Sequence, residues 1–227
     1  MKMKKTFLLS ALAFVAMLAS CTGESKQEYK VLGIQPLVTG YHMIYADQML
    51  DSVTVSSSRS WTTVFTQDWL YMDAADMNVT VPADVILQKV VKIHFEPNHT
   101  GKVRIAQMQV DNKDHQVGRL FAQTAWHNII EPSVSFTDWE KMENPSFQLL
   151  LSKGAQQKTI IFTVYSAETT LSCDADWLTP EETIFAAGQH SVQLEVEANE
   201  TSEMRTANIT LTSSNGISTT IKVTQEP

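Results

Sequence analysis

Two stretches, KIHFEPNHTGKVRIAQMQV at Lys92–Val110 and QLEVEANETSEMRTANITL at Gln193–Leu211, decide the fold. Laid over each other, they match Asn98 with Asn199, Thr100 with Thr201, Arg104 with Arg205 and Ala106 with Ala207. Met108 and Val110 fall on Ile209 and Leu211. Upstream of both stands Asp-Trp-Leu, at Asp68–Leu70 and Asp176–Leu178, and before it SVTVSSS (Ser52–Ser58) parallels IFTVYSA (Ile161–Ala167). Downstream, Gln123 in FAQTA matches Gln225 in VTQEP. One shared triplet would mean little. A series of matches in the same order marks an internal duplication.

Both copies alternate with a period of two. Val91, Ile93 and Phe95 alternate with Lys92, His94 and Glu96, and Val192, Leu194 and Val196 with Gln193, Glu195 and Glu197. Successive side chains of a strand point to opposite faces, so this pattern predicts half-buried antiparallel strands. Asn215-Gly216, between two alternating runs, supplies the positive backbone angles of a tight hairpin. No sustained helical period occurs beyond residue 20. The chain therefore reads as all-β, with two tandem antiparallel β-sandwich domains at residues 30–128 and 129–227. The boundary is expected near His127–Ser133, where a proline follows what reads as the last strand of the first copy.

Residues 1–20 have another character. Lys2, Lys4 and Lys5 precede an apolar run from Thr6 to Ala19, the pattern of a secretory signal peptide. The run ends in Leu-Ala-Ser-Cys, Leu18–Cys21, which resembles a bacterial lipobox. That resemblance implies cleavage before Cys21, lipidation of its thiol, and a polar tether over residues 21–29. Two or three acyl chains, at about 0.8 kcal/mol per buried methylene, hold a protein on a membrane without spanning it. Residues 1–20 carry three lysines and no acid, so their loss moves the net charge from −8 to −11. Such a chain repels nucleic acid, and no basic stripe offsets this. Cys173 is the other cysteine. With Cys21 lipidated no intramolecular disulfide forms, and Cys173 reads as a buried free thiol.

The repeat resembles the BACON family, immunoglobulin-like modules found on exported proteins of Bacteroidetes. The residues that carry the resemblance in the second copy are Thr163-Val164-Tyr165-Ser166, Trp177-Leu178, Asn199-Glu200-Thr201, Arg205-Thr206-Ala207-Asn208-Ile209 and Val223-Thr224-Gln225. The first copy departs at its last strand, where Arg119 falls on Ile221 and leaves the strand register open. The family accompanies glycan-degrading enzymes or sits on surface lipoproteins. The resemblance thus implies carbohydrate or mucin binding by a lipoprotein of the outer membrane, on the cell surface. The competing implication is a spacer, or a module that binds an outer-membrane protein partner of an uptake or adhesion complex.

The tryptophans sort by whether the repeat demands them. Trp69 and Trp177 recur and are expected in the two cores, where an indole buries about 150–250 Å². Trp61, Trp126 and Trp139 have no counterpart and are the candidate sugar contacts, since sugars stack their C–H faces on aromatic rings; for Trp61 a place in the core is the rival reading. Trp126 and Trp139 flank the junction, where packing between domains is the rival reading. Ser52, in Asp51-Ser52-Val53, resembles an O-glycosylation triplet, with an ordinary strand-entry residue as the alternative. Asp174 and Asp176 are not followed by a full oxygen-ligand loop, so no metal is expected. The six histidines form no metal pair at helical spacing, and there is no nucleophile elbow or phosphate-cradling glycine loop. The expectation is a non-enzyme without cofactor.

Overall fold

A computed structural model describes residues 30–133 and 145–227. Their strands form two β-sandwiches in series. The first holds β1 (Leu32–Gln35), β2 (Tyr41–Ile44), β3 (Leu50–Ser57), β4 (Trp61–Phe65), β5 (Leu70–Tyr71), the single helical turn α1 (Ala74–Met77), β6 (Asn78–Val79), β7 (Leu87–Phe95), β8 (Arg104–Asp111) and β9 (Gln116–Gln123). The second holds β10 (Asn128–Glu131), β11 (Phe147–Leu151), β12 (Gln156–Cys173), β13 (Leu178–Pro180), β14 (Ile184–Val196), β15 (Arg205–Ser213) and β16 (Ser218–Gln225). Among the described residues no helix is long and apolar enough to cross a membrane.

In the first sandwich a sheet in the order β1-β3-β7-β5 faces one in the order β2-β9-β8-β4-β6. The inward sets are those the alternation dictates. Val91, Ile93 and Phe95 of β7 meet Ala106, Met108 and Val110 of β8 in one core with Val53, Val55 and Phe121. The second core is built likewise around Phe162, Leu194, Ile209 and Val223.

The two copies differ in one strand. In the first, β3 ends, the chain turns at Ser58–Ser60, and β4 starts in the opposite sheet. In the second, β12 runs through both sheets. It pairs with β14 from Gln156 to Val164, is bulged between Val164 and Glu168, and pairs with β15 from Thr169 to Cys173. Partners then fix the true correspondence. Val53 lies opposite Val91, and Ile160 opposite Val192, so Val53 corresponds to Ile160 and not to Phe162. That shift of two keeps every inward residue inward.

One further expectation is corrected, and one open point is closed. The proline near the junction does not close the first copy. Asn128–Glu131 is already the opening strand of the second sandwich, paired with β12, and Pro132 is the counterpart of Pro36, which follows β1. Both prolines follow cis peptide bonds. The register of β9 also stands. Arg119 lies opposite Met108 as Ile221 lies opposite Ile209, so the arginine takes the inward place of an isoleucine. Its guanidinium donates to the carbonyls of Ile34 and Pro36 and lies 3.4 Å from His42 Nδ1, while His42 Nε2 is 2.7 Å from Asp51. Burial pushes the Asp51 carboxyl up. Its hydrogen bonds from His42 and the Ser52 N–H, with the charge of Arg119, outweigh this and hold it below the usual range.

The sandwiches meet through a buried polar joint. Ala46 N–H donates to the Trp126 carbonyl (3.1 Å), and Thr124 N–H to that of Ile44 (2.8 Å). Asp47, in the loop after β2, sends Oδ2 to two backbone N–H groups in the β12 bulge, those of Tyr165 (2.8 Å) and Ser166 (3.2 Å). The Tyr45 and Tyr165 rings stack with centroids 5.7 Å apart. A bulge leaves ladder N–H groups without strand partners, and buried ones need an acceptor. The first sandwich supplies it to the second.

Candidate functional site

The residues that define the repeat tie off one end of each sandwich. Arg104 sits over Trp69, its guanidinium carbon 4.4 Å from the ring centroid, and Arg205 sits over Trp177 at 4.3 Å. Arg104 Nε donates to Gln123 Oε1 (2.8 Å), and Arg205 Nε to Gln225 Oε1 (2.7 Å). The Gln123 amide donates to the Glu96 carbonyl, and the Gln225 amide to that of Glu197, each at 3.0 Å. Asn98 Nδ2 donates to the carbonyls of Lys102 and Thr124, and its Oδ1 accepts from the Thr100 hydroxyl at 2.7 Å. Asn199 and Thr201 repeat this bond at the same distance. The motif side chains are thus spent on holding loops and strand ends together. Trp69 is buried in the first core, and Trp177 is half-buried against the second.

The candidate sugar contacts fare differently. Trp61 is 2% exposed. It opens β4 at an inward position opposite Val79, with Thr62 outward and Thr63 inward, so its ring fills the core and offers no face to a ligand. Trp126 is 5% exposed and packs edge-on to Phe147 at 6.5 Å, in the core of the second sandwich. An edge of it lines a crevice of about 330 Å³ at the junction, with Gly101, Phe147, Ser218, Thr219 and Thr220. Trp139 and the lipidation candidate Cys21 lie outside the described residues. Ser52 is exposed on the outer face of β3, opposite Lys92.

An exposed aromatic pair stands elsewhere. Tyr71, the residue after the first Trp-Leu, is 47% exposed on the outer face of the β1-β3-β7-β5 sheet. It pairs across β7 with His94, and the two rings stack with centroids 5.2 Å apart and planes 16° from parallel. His94 covers one face of the phenol ring and leaves the other toward solvent. On the far side of His94 stands the exposed Leu50, and two residues along β7 the Lys92–Ser52 pair. Asp73 Oδ1 lies 3.7 Å from His94 Nε2. The result is a flat ledge with an apolar centre and a rim of hydroxyl, amine and carboxylate groups.

The second copy lacks this ledge. Thr179, Glu195 and Gln157 meet at the corresponding strand positions, and Gln193 stands where Lys92 does. The fold therefore does not need Tyr71 or His94. A search among tryptophans passed them over. The signal was present one residue past Trp-Leu, where tyrosine in one copy faces threonine in the other.

Among the described residues no group of three or more His, Cys, Asp or Glu side chains converges. Asp174 instead accepts from the Asn208 backbone N–H (2.7 Å) and side-chain amide (2.8 Å). The Cys173 thiol is half-buried. Burial, with the nearby Asp174 charge, pushes its pKa up to about 11, so the nucleophilic thiolate is scarce at neutral pH.

The molecule is thus a pair of immunoglobulin-like β-sandwiches. Its second sandwich is a BACON domain: residues 153–226 match that family, which is described as "Putative binding domain, N-terminal". Among solved structures, a Bacteroides ovatus GH5 xyloglucanase in complex with a XXXG heptasaccharide shares 29% identity over 37% of this chain, with a TM-score of 0.34. The chain covers 18% of that enzyme's length. The D0-D1 domain of intimin matches 82% of this chain and 94% of its own, at 7% identity and a TM-score of 0.28. A tandem pair of titin immunoglobulin domains matches 87% of this chain and 97% of its own, at 6% and 0.29. No curated protein matches the chain.

Proposed function

We propose that the protein is a non-catalytic glycan-binding lipoprotein that takes its ligand on the Tyr71–His94 ledge. The observation that carries this reading is the exposed phenol ring backed by an imidazole, on a flat sheet face, at positions the duplicated fold leaves free. A pyranose presents a C–H face to such a ring and hydroxyls to its rim, where Asp73, Lys92 and Ser52 stand. The signal-like residues 1–20 and the lipobox-like Leu18–Cys21 support the reading of a lipid-anchored protein of the outer membrane, with the polar residues 21–29 as its tether.

The test is binding of the chain from Thr22 onward, which contains every described strand, to plant, microbial and mucin glycans. Tyr71→Ala is expected to weaken binding at least ten-fold without a change in melting temperature, and Trp126→Ala, where it stays folded, to leave binding intact. Binding that survives Tyr71→Ala and disappears in Trp126→Ala moves the site to the junction crevice.

A second reading, a module that docks a protein partner, draws on the opposite face of the same sandwich. Met43, Val64, Ile105 and Leu120 are exposed there, whereas Thr206 and Lys222 stand at the places of Ile105 and Leu120 in the second copy. Failure to bind across the glycan panel, with capture of one defined outer-membrane protein that is lost in Ile105→Thr with Leu120→Lys, favours this reading.

A further inference from the structure

The joint between the sandwiches contains a histidine that neither the repeat nor the ledge uses. His127 lies between β9 and β10 and is fully buried, as is Asp47. Its backbone N–H donates to Thr219 Oγ1 at 2.8 Å, and its ring Nδ1 is 2.8 Å from the same oxygen. Among the described residues Nε2 has no hydrogen-bond partner, and neither does Asp47 Oδ1.

This geometry suits one protonation state. A neutral imidazole meets Thr219 with Nδ1 either as donor or as acceptor, because the hydroxyl does both. An imidazolium carries a hydrogen on each nitrogen. The hydrogen on Nε2 then has no acceptor in hydrogen-bond reach among the described residues, and the fully buried ring carries its charge away from water. The titratable groups around the joint do not repair this. Asp47 attracts the charge, but its Oδ2 is committed to Tyr165 and Ser166. Tyr45 is a neutral phenol, its pKa raised by burial and by Tyr165. Glu131 of β10 and Glu168 of β12 are not buried, and His99, which lies against Gly216, is exposed.

We propose that the joint is a proton-sensitive latch: the two sandwiches stay locked while His127 is neutral and part when it takes up a proton. Separation returns the imidazolium to water and frees the Asp47 carboxylate from the β12 bulge. Burial holds the His127 pKa below its ordinary value, and the attraction of Asp47 opposes this only in part. The sign follows. The locked form binds the proton more weakly than the parted form, so the lock is complete above about pH 6.5 and weakens as pH falls through and below that value.

The experiment follows the amides of Tyr165 and Ser166 by hydrogen exchange in the chain from Thr22 onward, at pH 7.5 and pH 5.5. Protection factors, corrected for intrinsic rates, are compared with that of Ile209 in the second core. The expected result is at least a ten-fold loss of protection at Tyr165 and Ser166 at pH 5.5, with Ile209 unchanged, and no such loss in His127→Gln. Protection that holds to pH 5.5, or that falls equally in His127→Gln, overturns the latch. Should that variant not fold, the wild-type His127 resonance decides: an imidazole titrating at or above 6.5 overturns the proposal, and one titrating below 6 supports it.

Discussion

Asp47 of the first sandwich accepts the backbone N–H of Tyr165 in the second at 2.8 Å, across a boundary where the Tyr45 and Tyr165 rings stack. Its loss leaves two N–H groups of the bulge without their acceptor. Asp47→Ala is expected to lower stability by about 2–3 kcal/mol. It should also split one calorimetric unfolding transition into two, because the sandwiches then melt on their own. A single transition at the wild-type temperature would show that the joint contributes nothing.

The knots at Asn98 and Asn199 make a matched pair. The Asn98 amide donates to three carbonyls and that of Asn199 to two, and each Oδ1 accepts one threonine hydroxyl inside its own sandwich. Asn98→Ala and Asn199→Ala are each expected to cost about 2–4 kcal/mol, since each strands several buried polar groups. The sites share no partner, so the double variant should equal the sum within about 0.5 kcal/mol. Urea titrations of the four proteins check this, and a neutral result at either site removes the structural reading of the motif.

Trp61 and Tyr71 should respond in opposite ways. Trp61→Ala empties the centre of the first core and is expected to cost about 3–5 kcal/mol. Tyr71→Ala removes an exposed ring and should change stability by less than about 1 kcal/mol. Thermal melts of the two variants separate the cases. A stable Trp61→Ala protein would mean that the core closes around the loss.

Cys173 should be slow to alkylate. With a pKa of about 11, its thiolate fraction at pH 8 is on the order of 10⁻³, against about a quarter for an ordinary cysteine. Iodoacetamide labelling of the native chain from Thr22 onward should therefore be at least a hundred-fold slower than after denaturation. Rapid labelling of the native protein would place the thiol in water.

The duplicated sandwich was legible because alternation and ordered matches report faces and sequence positions, which strands preserve. Alternation does not report which pair of residues face each other. That is why Val53 was set against Phe162 rather than Ile160, two residues off and still inward. Nor does it say whether a large residue at an inward place is a necessity. Trp61 fills a core position where the second copy puts a buried threonine, Thr169, so the lack of a matching tryptophan looked like a surface feature. Arg119 was misleading in the opposite sense. A charged residue on an isoleucine position suggested slippage, but three backbone and side-chain partners absorb it without moving the strand. The ledge is not legible in the same way, because the alternation does not show which exposed side chains of neighbouring strands stack, as Tyr71 and His94 do.

The joint has a direction. The knot end of the first sandwich, with Asn98 and the Asp47 loop, receives the bulge and hairpin end of the second. The second sandwich has a knot end too, and there the Asn199 backbone N–H donates to the Lys153 carbonyl as that of Asn98 does to the Ala46 carbonyl. The residue that follows is Gly154 in place of Asp47, and Ser152 in place of Tyr45. Stacking by this rule is vectorial: serine and glycine stand at the second knot where the first carries its aromatic ring and its carboxylate, so the two copies, alike in fold, present unlike ends to a neighbour.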